Sequence, residues 1–121
     1  MKRDMDLIRD LLRSLEENES CWANTTDLIK RFVDENRSHE FVKYHLYLLS
    51  DADLAQPHPS TTAYRLGWLG HEFLDATREP ERWERTKEIA QQAGGVPFQI
   101  MVDFAKRLAW EAVTRLAGLK E

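Results

Sequence analysis

His71, Glu72 and Asp75 are the residues of this 121-residue chain whose types and spacing come nearest to a metal-binding set. His71 and Asp75 are four positions apart, so on a helix their side chains would share a face. A stable site needs at least three ligands, and no second histidine at helical spacing and no cysteine pair completes this one. We therefore expect a structural role for His71, with neither a metal nor a cofactor.

Glu79 and Glu81 come nearest to a catalytic pair of carboxylates, and they flank Pro80 in a charged stretch. Arg78 and Arg82 adjoin them, so solvated ion pairs explain this composition better than general acid–base chemistry. The sequence contains no nucleophile elbow, no phosphate-binding glycine loop and no zinc motif. We therefore expect a protein that is not an enzyme.

Cysteine content and hydropathy indicate the cellular compartment in which the protein is expected. Cys21 is the single cysteine, which excludes an internal disulfide, and we expect it to be a small buried hydrophobic residue. No apolar run approaches the length that crosses a bilayer, and the N-terminus MKRDMDLIRD lacks the apolar core of a signal peptide. The expected protein is soluble and cytoplasmic, with no membrane association.

A second group of polar residues has the types that a DNA-contacting helix and loop use. Six of them lie on or beside one predicted helix: Arg37, Ser38, His39, Lys43, Tyr44 and Tyr47. Such a helix would meet base edges and phosphates in a major groove, and its N-terminal amides could hold a phosphate. Four more follow in the next loop and strand, where they would meet the DNA backbone: His58, Thr61, Thr62 and Arg65. The alternative is an ordinary solvated helix face followed by a polar loop.

The charge balance weighs against strong DNA binding. The net charge is −4 and the pI is near 5.6, whereas DNA-binding domains are usually basic or carry a basic face. Between residues 37 and 70, three lysines and arginines are matched by three acidic residues. Because phosphate neutralisation supplies much of the affinity for DNA, this stretch offers few contacts, a number that dimerisation would double.

Hydrophobic periodicity predicts three helices in the first half of the chain, over residues 4–19, 26–35 and 39–50. Thr25 or Thr26 is the expected cap of the second helix, and Val33 is expected on its inward face. Residues 21–23 could pair as a very short strand. The second and third helices are joined by a tight turn at residues 36–37, which is typical of a helix-turn-helix. Ser38 is the expected cap of the third helix.

The inward face of the third helix includes a histidine. At roughly 100° per residue, His45 falls on the same side as Val42, Leu46 and Leu49. We therefore expect His45 to be a hydrogen-bonded core residue rather than a ligand.

A hairpin is predicted after the third helix. Residues 54–56 and 63–68 have strand patterns, and a proline-bearing loop over residues 57–62 separates them. Tyr64, Leu66 and Trp68 would alternate onto one face of the second strand. Residues 38–70 together predict the second half of a winged helix-turn-helix with a two-stranded wing.

Three further helices are expected over residues 71–77, 81–93 and 97–116, with Pro80 and Pro97 at helix starts and Gly94-Gly95 at a helix end. The last one is apolar over more than one face, so it either fills the core or is shared with a partner. The predicted fold is mainly α (α+β). It is a single winged-helix domain over residues 1–121, in which residues 1–70 hold the helix-turn-helix and wing and residues 71–121 an added helical layer.

Two motifs resemble those of winged-helix regulators. VKYHLYLLSDADLA over residues 42–55 is similar to the arsenical-repressor-like pattern V-S-x-H-L-x-x-L-x-x-A-G-L-V. Asp53 stands where that pattern has glycine in a left-handed turn, a conformation that Asp tolerates better than most residues. YRLGWLG over residues 64–70 resembles the Y-x-L-T-x-x-G of multiple-antibiotic-resistance-type and phenolic-acid-regulator-type proteins, with Gly67 in place of Thr.

Nearly the whole chain also resembles a family of small bacterial and prophage proteins, domain of unknown function 2513. The matching stretches are MKRDMDLIR at residues 1–9, HLYLL at 45–49, GHEFLD at 70–75 and GGVPF at 94–98. The resemblance implies a bacterial or phage origin, and the family brings no established activity with it.

The predicted function is that of a DNA-binding winged-helix protein in bacterial or prophage transcription regulation. A homodimer formed through the C-terminal helices is expected. The alternative is a winged helix kept as a protein-interaction module, such as a phage-encoded adaptor or inhibitor of a host protein, without catalysis. Its expected signature is a neutral or acidic face on the third helix and an apolar patch elsewhere.

Overall fold

The computed structural model describes residues 1–118. Within them it contains six helices and three short strands, which confirms a mainly helical α+β protein. In chain order these are α1 (Met5–Glu17), β1 (Ala23–Asn24), α2 (Thr25–Phe32), α3 (His39–Asp51), β2 (Ala55–Pro57), β3 (Ala63–Leu66), α4 (Trp68–Thr77), α5 (Pro80–Gln92) and α6 (Phe98–Leu116).

The chain divides into two compact units, Met1–Leu74 and Asp75–Glu121. The first unit holds α1 to α3, the three strands and most of α4, and the second holds the end of α4 with α5 and α6. Among the described residues, no helix is both long enough and apolar enough to span a bilayer.

The core of the first unit lies between α1, α3 and the sheet, since α1 packs on both α3 and β3. Asp4 caps α1, because its carboxylate accepts the Leu7 N–H at 3.1 Å. The apolar stripe that the sequence predicts for α1 is buried: Leu7, Ile8, Leu11, Leu12 and Leu15. It is joined by residues of α2 and α3 that are also almost wholly buried: Leu28, Val42, Leu46 and Leu49.

Helix α2 starts and ends differently from the prediction. Its cap is Asn24, whose side-chain oxygen accepts the Asp27 N–H at 3.0 Å, so a Thr25 or Thr26 cap is wrong. The helix ends at Phe32, because Val33 has extended backbone angles (φ −72°, ψ 129°). Val33 is therefore 42% exposed instead of lying on an inward helix face.

The three strands form an antiparallel sheet in the order β1-β3-β2. Tyr64 of β3 pairs with Ala23 on one side and with Pro57 on the other. Pro57, predicted to lie in the loop, ends β2, where its missing N–H is tolerated because β2 is an edge strand. Cys21 lies in the connection before β1 and is exposed, so the expectation of a buried cysteine is wrong.

The turn between α3 and β2 uses a left-handed residue. Asp53 has φ +58°, as the comparison with the glycine-bearing pattern predicts. Its N–H donates to the Ser50 carbonyl at 3.1 Å, and the next N–H, of Leu54, donates to Leu49 at 2.9 Å. These bonds end α3 and direct the chain into the sheet.

Helix α4 begins earlier than predicted. Strand β3 stops at Leu66, and α4 starts at Trp68, which is 79% exposed and does not share a strand face with Tyr64. Gly70 explains the sharp return, because a Cβ at this position would lie 2.2 Å from the Leu54 carbonyl oxygen. The chain can approach Leu54 this closely only where no side chain intervenes.

In the second unit, α5 packs on α6. The Glu79 carboxylate caps α5 by accepting the N–H groups of Glu81 and Arg82 at 3.1 and 2.9 Å, and Pro80 is the first helical residue, as predicted. Six side chains of these two helices are buried: Trp83, Thr86, Met101, Val102, Ala105 and Thr114. Four apolar residues of α6 are at least half exposed: Ile100, Trp110, Val113 and Leu116.

Candidate nucleic-acid interface

Helix α3 carries most of the residues predicted to contact DNA. Ser38 caps it as expected, since its hydroxyl accepts the Phe41 N–H at 3.1 Å. His39 and Tyr47 are exposed, whereas Lys43 and Tyr44 are half-buried. The Lys43 ammonium lies 6.0 Å from the centre of the Tyr47 ring, at the outer limit of a cation–π contact. These side chains form an outward face that is polar and weakly charged.

Arg37 is held against the start of α1. Its guanidinium donates to the Asp4 carboxylate at 3.1 Å, and its own N–H donates to Asp34 at 2.8 Å. The Asp34 N–H in turn donates to the Arg37 carbonyl at 2.9 Å, which closes the turn between α2 and α3. Arg37 is thus committed to the protein itself, which separates it from the other predicted contacts on α3.

His45 is fully buried and bonded at both ring nitrogens. Its Nε2 accepts the Asp4 N–H at 2.8 Å, so the proton must sit on Nδ1, which donates to the Phe41 carbonyl at 2.8 Å. The Phe41 ring lies 4.4 Å from the imidazole, centre to centre. The prediction of a hydrogen-bonded core histidine is confirmed.

His58 organises the loop of the β2–β3 hairpin. Its Nδ1 accepts the N–H groups of Ser60 and Thr61, both at 3.1 Å, so the imidazole fixes the turn in the way a capping side chain does. The ring also meets the Trp22 indole edge to face, with centres 4.5 Å apart. The predicted contact residue is therefore half-buried and holds the loop in shape.

Arg65, on the exposed side of β3, also meets Trp22. Its guanidinium carbon lies 5.8 Å from the Trp22 ring centre, and its Nη1 donates to the Leu66 carbonyl at 3.4 Å. Trp22 therefore lies between two of the predicted contact residues, His58 and Arg65, and links them. Trp22 was not predicted as a site residue, because nothing local to residues 21–23 shows which later residues it meets.

A cleft of about 160 Å³, which we call the α3–hairpin cleft, joins α3 to the hairpin. Four of the predicted contact residues line it together: Lys43, Tyr47, Thr61 and Thr62. Two further hydroxyl-bearing residues, Thr25 and Tyr64, line it as well, and neither was predicted as a contact. From the sequence Thr25 was expected to cap α2 and Tyr64 to lie on one face of the strand.

Thr25 has an unusual place in the α3–hairpin cleft. Its side chain is only 8% exposed, and its hydroxyl oxygen has no hydrogen-bond partner among the described residues. Its N–H donates to the Thr62 carbonyl at 3.1 Å, which ties the first residue of α2 to the hairpin. A buried hydroxyl without a partner costs roughly 1–3 kcal/mol.

Burial raises the pKa of the Tyr64 hydroxyl above its usual range, and the neighbouring Tyr47 and Asp51 raise it further. Tyr64 therefore keeps its proton at neutral pH and remains able to donate a hydrogen bond. On α1, burial likewise raises the pKa of Asp10, an effect that the nearby Arg37 partly offsets. Asp10 lies outside the cleft.

The other candidate sites are built from other residues. The His71 Nδ1 lies 3.7 Å from the Glu16 Oε2. Within residues 1–118, no group of three His, Cys, Asp or Glu side chains is arranged to hold a metal ion. In the second unit a cleft of about 630 Å³ between α5 and α6 is lined by both signs of charge, three arginines and three glutamates. That mixture does not select an anion or a cation.

The comparisons with known proteins agree with the resemblance to a family of unknown function. The family model described as hypothetical protein (DUF2513) matches residues 2–96, so the chain belongs to this family. The chain is also similar to an uncharacterized protein of Haemophilus influenzae, with 29% identity over 124 residues, covering 96% of this chain and 98% of the relative. No solved structure matches the chain.

Proposed function

We propose that this member of the DUF2513 family is a small winged-helix protein that binds DNA and acts as a bacterial or prophage transcriptional regulator. The order of elements in residues 1–66 supports the proposal: a helix, a short strand, two helices joined by a tight turn, and a hairpin. In this arrangement α3 would enter the major groove and the hairpin loop would lie along the phosphate backbone.

One observation carries the proposal: α3 and the hairpin loop share a single surface. Lys43 and Tyr47 of α3 line the same cleft as Thr61 and Thr62 of the loop. A ligand that fills this cleft touches both elements at once, as a groove wall of duplex DNA would. Arg37 is not part of that surface, because its guanidinium is bonded to Asp4.

The remaining predictions extend the same proposal. The protein acts in the cytoplasm, without catalysis and without a membrane, as one winged-helix domain over residues 1–121. It forms a homodimer through α6, where the exposed apolar residues Trp110, Val113 and Leu116 recur at intervals of three. A dimer presents two copies of α3, which compensates for the few cations on each.

The experiment is a duplex-binding measurement across salt concentrations. The interface offers two cations, Lys43 and Arg65, that pair with no carboxylate among the described residues, so log Kd against log salt should have a slope of magnitude about 2 for a monomer and about 4 for a dimer. Lys43→Gln should lower that slope by about 0.9 per protomer. Lys2→Gln, an exposed position before α1, is the matched control. Absence of duplex binding even at low salt, or a slope unaffected by Lys43→Gln, would overturn the proposal.

The protein-interaction module is a second candidate, and the charge distribution favours it. Residues 1–74 hold nine lysines and arginines against thirteen acidic residues, while residues 75–121 hold eight of each. The first unit also exposes Trp68 (79%) and Leu69 (49%) at the start of α4. An acidic unit with an exposed tryptophan suits a basic, apolar-tipped protein partner better than a phosphate backbone. Failure of duplex binding in the experiment above would leave this function as the better supported one.

A further inference from the structure

The start of α4 exposes two adjacent apolar side chains on the first unit. Trp68 is 79% exposed and Leu69 is 49% exposed, and no other neighbouring pair of large apolar residues in residues 1–74 is exposed in this way. Among the described residues, the Trp68 indole has no aromatic or cation–π partner. A tryptophan buries about 150–250 Å² when it is covered, and most of that area is available here. Exposed apolar surface of this kind marks a site of association.

Two acidic residues border this apolar pair. Glu72 is exposed and lies four residues after Trp68 on α4, a spacing that places two helical side chains on the same face. Asp53 is exposed and lies beside Gly67, the residue before Trp68, because a Cβ at Gly67 would lie 3.1 Å from the Asp53 carbonyl oxygen. Neither carboxylate forms an ion pair with a residue that the structure describes. We call Asp53, Trp68, Leu69 and Glu72 the α4 patch.

The basic residues next to the α4 patch along the chain make other contacts. Residues 64–74 contain two of them, Arg65 and His71. The Arg65 guanidinium carbon lies 5.8 Å from the Trp22 ring centre. The His71 Nδ1 lies 3.7 Å from the Glu16 Oε2. The negative charge of the α4 patch is therefore not balanced by either of these residues.

The charge of the α4 patch decides between the possible occupants. A second copy related by a twofold axis would place the same surface against itself, so Asp53 and Glu72 would meet their own like charges. Nucleic acid phosphates and anionic lipids are repelled by the same two carboxylates. A basic protein segment is attracted instead. The guanidinium of an arginine can stack on an indole face and pair with a carboxylate at the same time.

We propose that the α4 patch binds an arginine-bearing segment of a protein partner, with the guanidinium stacked on the Trp68 indole and paired with Glu72. An apolar side chain of the same segment lies against Leu69. The proposal rests on the protein-interaction function, and it names the surface and the chemistry of the partner. The α4 patch shares no residue with the α3–hairpin cleft, so occupation of one surface uses none of the contacts of the other.

The probe is a synthetic peptide in which arginine and leucine alternate, and the same peptide with citrulline in place of arginine is its uncharged control. Isothermal titration calorimetry measures Kd, and the indole N–H signals in NMR spectra show which of the four tryptophans is in contact. Trp68→Ser should weaken binding of the arginine peptide at least about tenfold, as the loss of a central tryptophan contact does.

Glu72→Gln should weaken binding of the arginine peptide about two- to fivefold, the value of an exposed ion pair. Glu40→Gln removes the same charge from an exposed position on α3 and is the matched control, which should bind as the wild type does. Because Trp68 and Glu72 are both exposed, neither substitution should change the thermal stability.

The outcomes separate the α4 patch from the function. Equal binding by Trp68→Ser, or NMR shifts confined to the other three tryptophans, would overturn the patch and leave a protein-interaction function in place. Equal binding of the citrulline peptide would overturn the arginine-bearing partner. Absence of binding of either peptide by the wild type would overturn the patch and also remove the charge argument for a protein-interaction function.

Discussion

Asp4 connects three parts of the first unit through three different groups. Its carboxylate caps α1 through the Leu7 N–H, its second carboxylate oxygen pairs with Arg37, and its backbone N–H donates to His45. The start of α1, the turn before α3 and the middle of α3 are therefore held at one residue. Because His45 accepts from that N–H at Nε2, an imidazolium could not replace the neutral ring without losing this bond.

A substitution at Asp10 tests how burial affects the protonation of a carboxyl group on α1. Burial raises its pKa above the unfolded value, so the protonated form is favoured in the folded protein. The stabilisation from binding that proton is present below the usual carboxyl pKa and is lost as pH rises through the folded pKa. At neutral pH the wild type therefore carries a partly desolvated carboxylate, and Asp10→Asn should raise the free energy of unfolding. The difference should shrink toward about pH 4 and below.

Chemical denaturation at a series of pH values measures this effect. Glu19→Gln, at an exposed position in the connection after α1, is the matched control and should change stability little at any pH. If Asp10→Asn is less stable than the wild type at neutral pH, the attraction of the Asp10 carboxylate to Arg37 outweighs its burial, which contradicts the assignment.

For single residues, the sequence predicted whether a side chain faces the core better than it predicted which residues that side chain contacts. Periodicity alone placed His45 in the core and Ser38 at a helix cap, because both depend on positions within one turn of α3. The Asp4 amide that bonds His45 lies 41 residues away, and no local pattern points to it. Arg37 has the composition of a DNA contact, and only the packing of α1 beside the turn shows that Asp4 already holds it.

Among the elements, the boundaries around β3 and α4 depend most on tertiary contact. The alternation of Tyr64, Leu66 and Trp68 predicts a longer strand, and the structure ends the strand at Leu66. The cause is the return of the chain over Leu54, whose carbonyl accepts the Gly67 N–H at 2.9 Å and lies against Gly70. A period-two pattern cannot show such a return, because the contact that causes it comes from another part of the chain.

Gly70→Ala should destabilise the first unit more than Gly67→Ala. A Cβ at Gly70 would lie 2.2 Å from the Leu54 carbonyl oxygen, so the backbone must move, at a cost of about 1–3 kcal/mol. At Gly67 the closest approach is 3.1 Å, to the Asp53 carbonyl, and small shifts suffice. Urea unfolding of the two variants measures the difference. Equal costs at both positions, or a gain of stability at Gly70 as helix propensity alone predicts, would contradict close approach as the determinant of this junction.

For the whole molecule, the sequence predicted the α+β class and the family, and the two rest on different signals. The class follows from the spacing of hydrophobic residues within each element, which is about 3.6 residues in a helix and 2 residues in a strand. The family match extends over residues 2–96 and ends before α6. The cleft itself could not be predicted, since Thr25, Lys43 and Thr62 come from α2, α3 and the hairpin loop, which only the fold brings together.

The excess acidic charge of the protein lies in the unit that carries the proposed DNA face, so the proposed DNA binding depends on where cations lie rather than on net charge. Under that proposal one protomer offers few phosphate contacts, and the proposed homodimer would double them. The exposed apolar residues of α6, in the second unit, are the proposed self-association surface. Their exposure also makes them accessible to substitution without disturbing the core.

Trp110→Glu should dissociate the proposed homodimer. Trp110 is 60% exposed, so a charge there should cost little in folding but should raise the dimer dissociation constant at least about tenfold. Trp68→Glu, at a residue 79% exposed on α4, is the matched control and should leave the dimer intact. Size-exclusion chromatography with light scattering over a range of protein concentrations measures both. A wild type that remains monomeric at every concentration contradicts the dimer. Dissociation by Trp68→Glu alone would instead place the self-association surface on the first unit and leave α6 without a role in it.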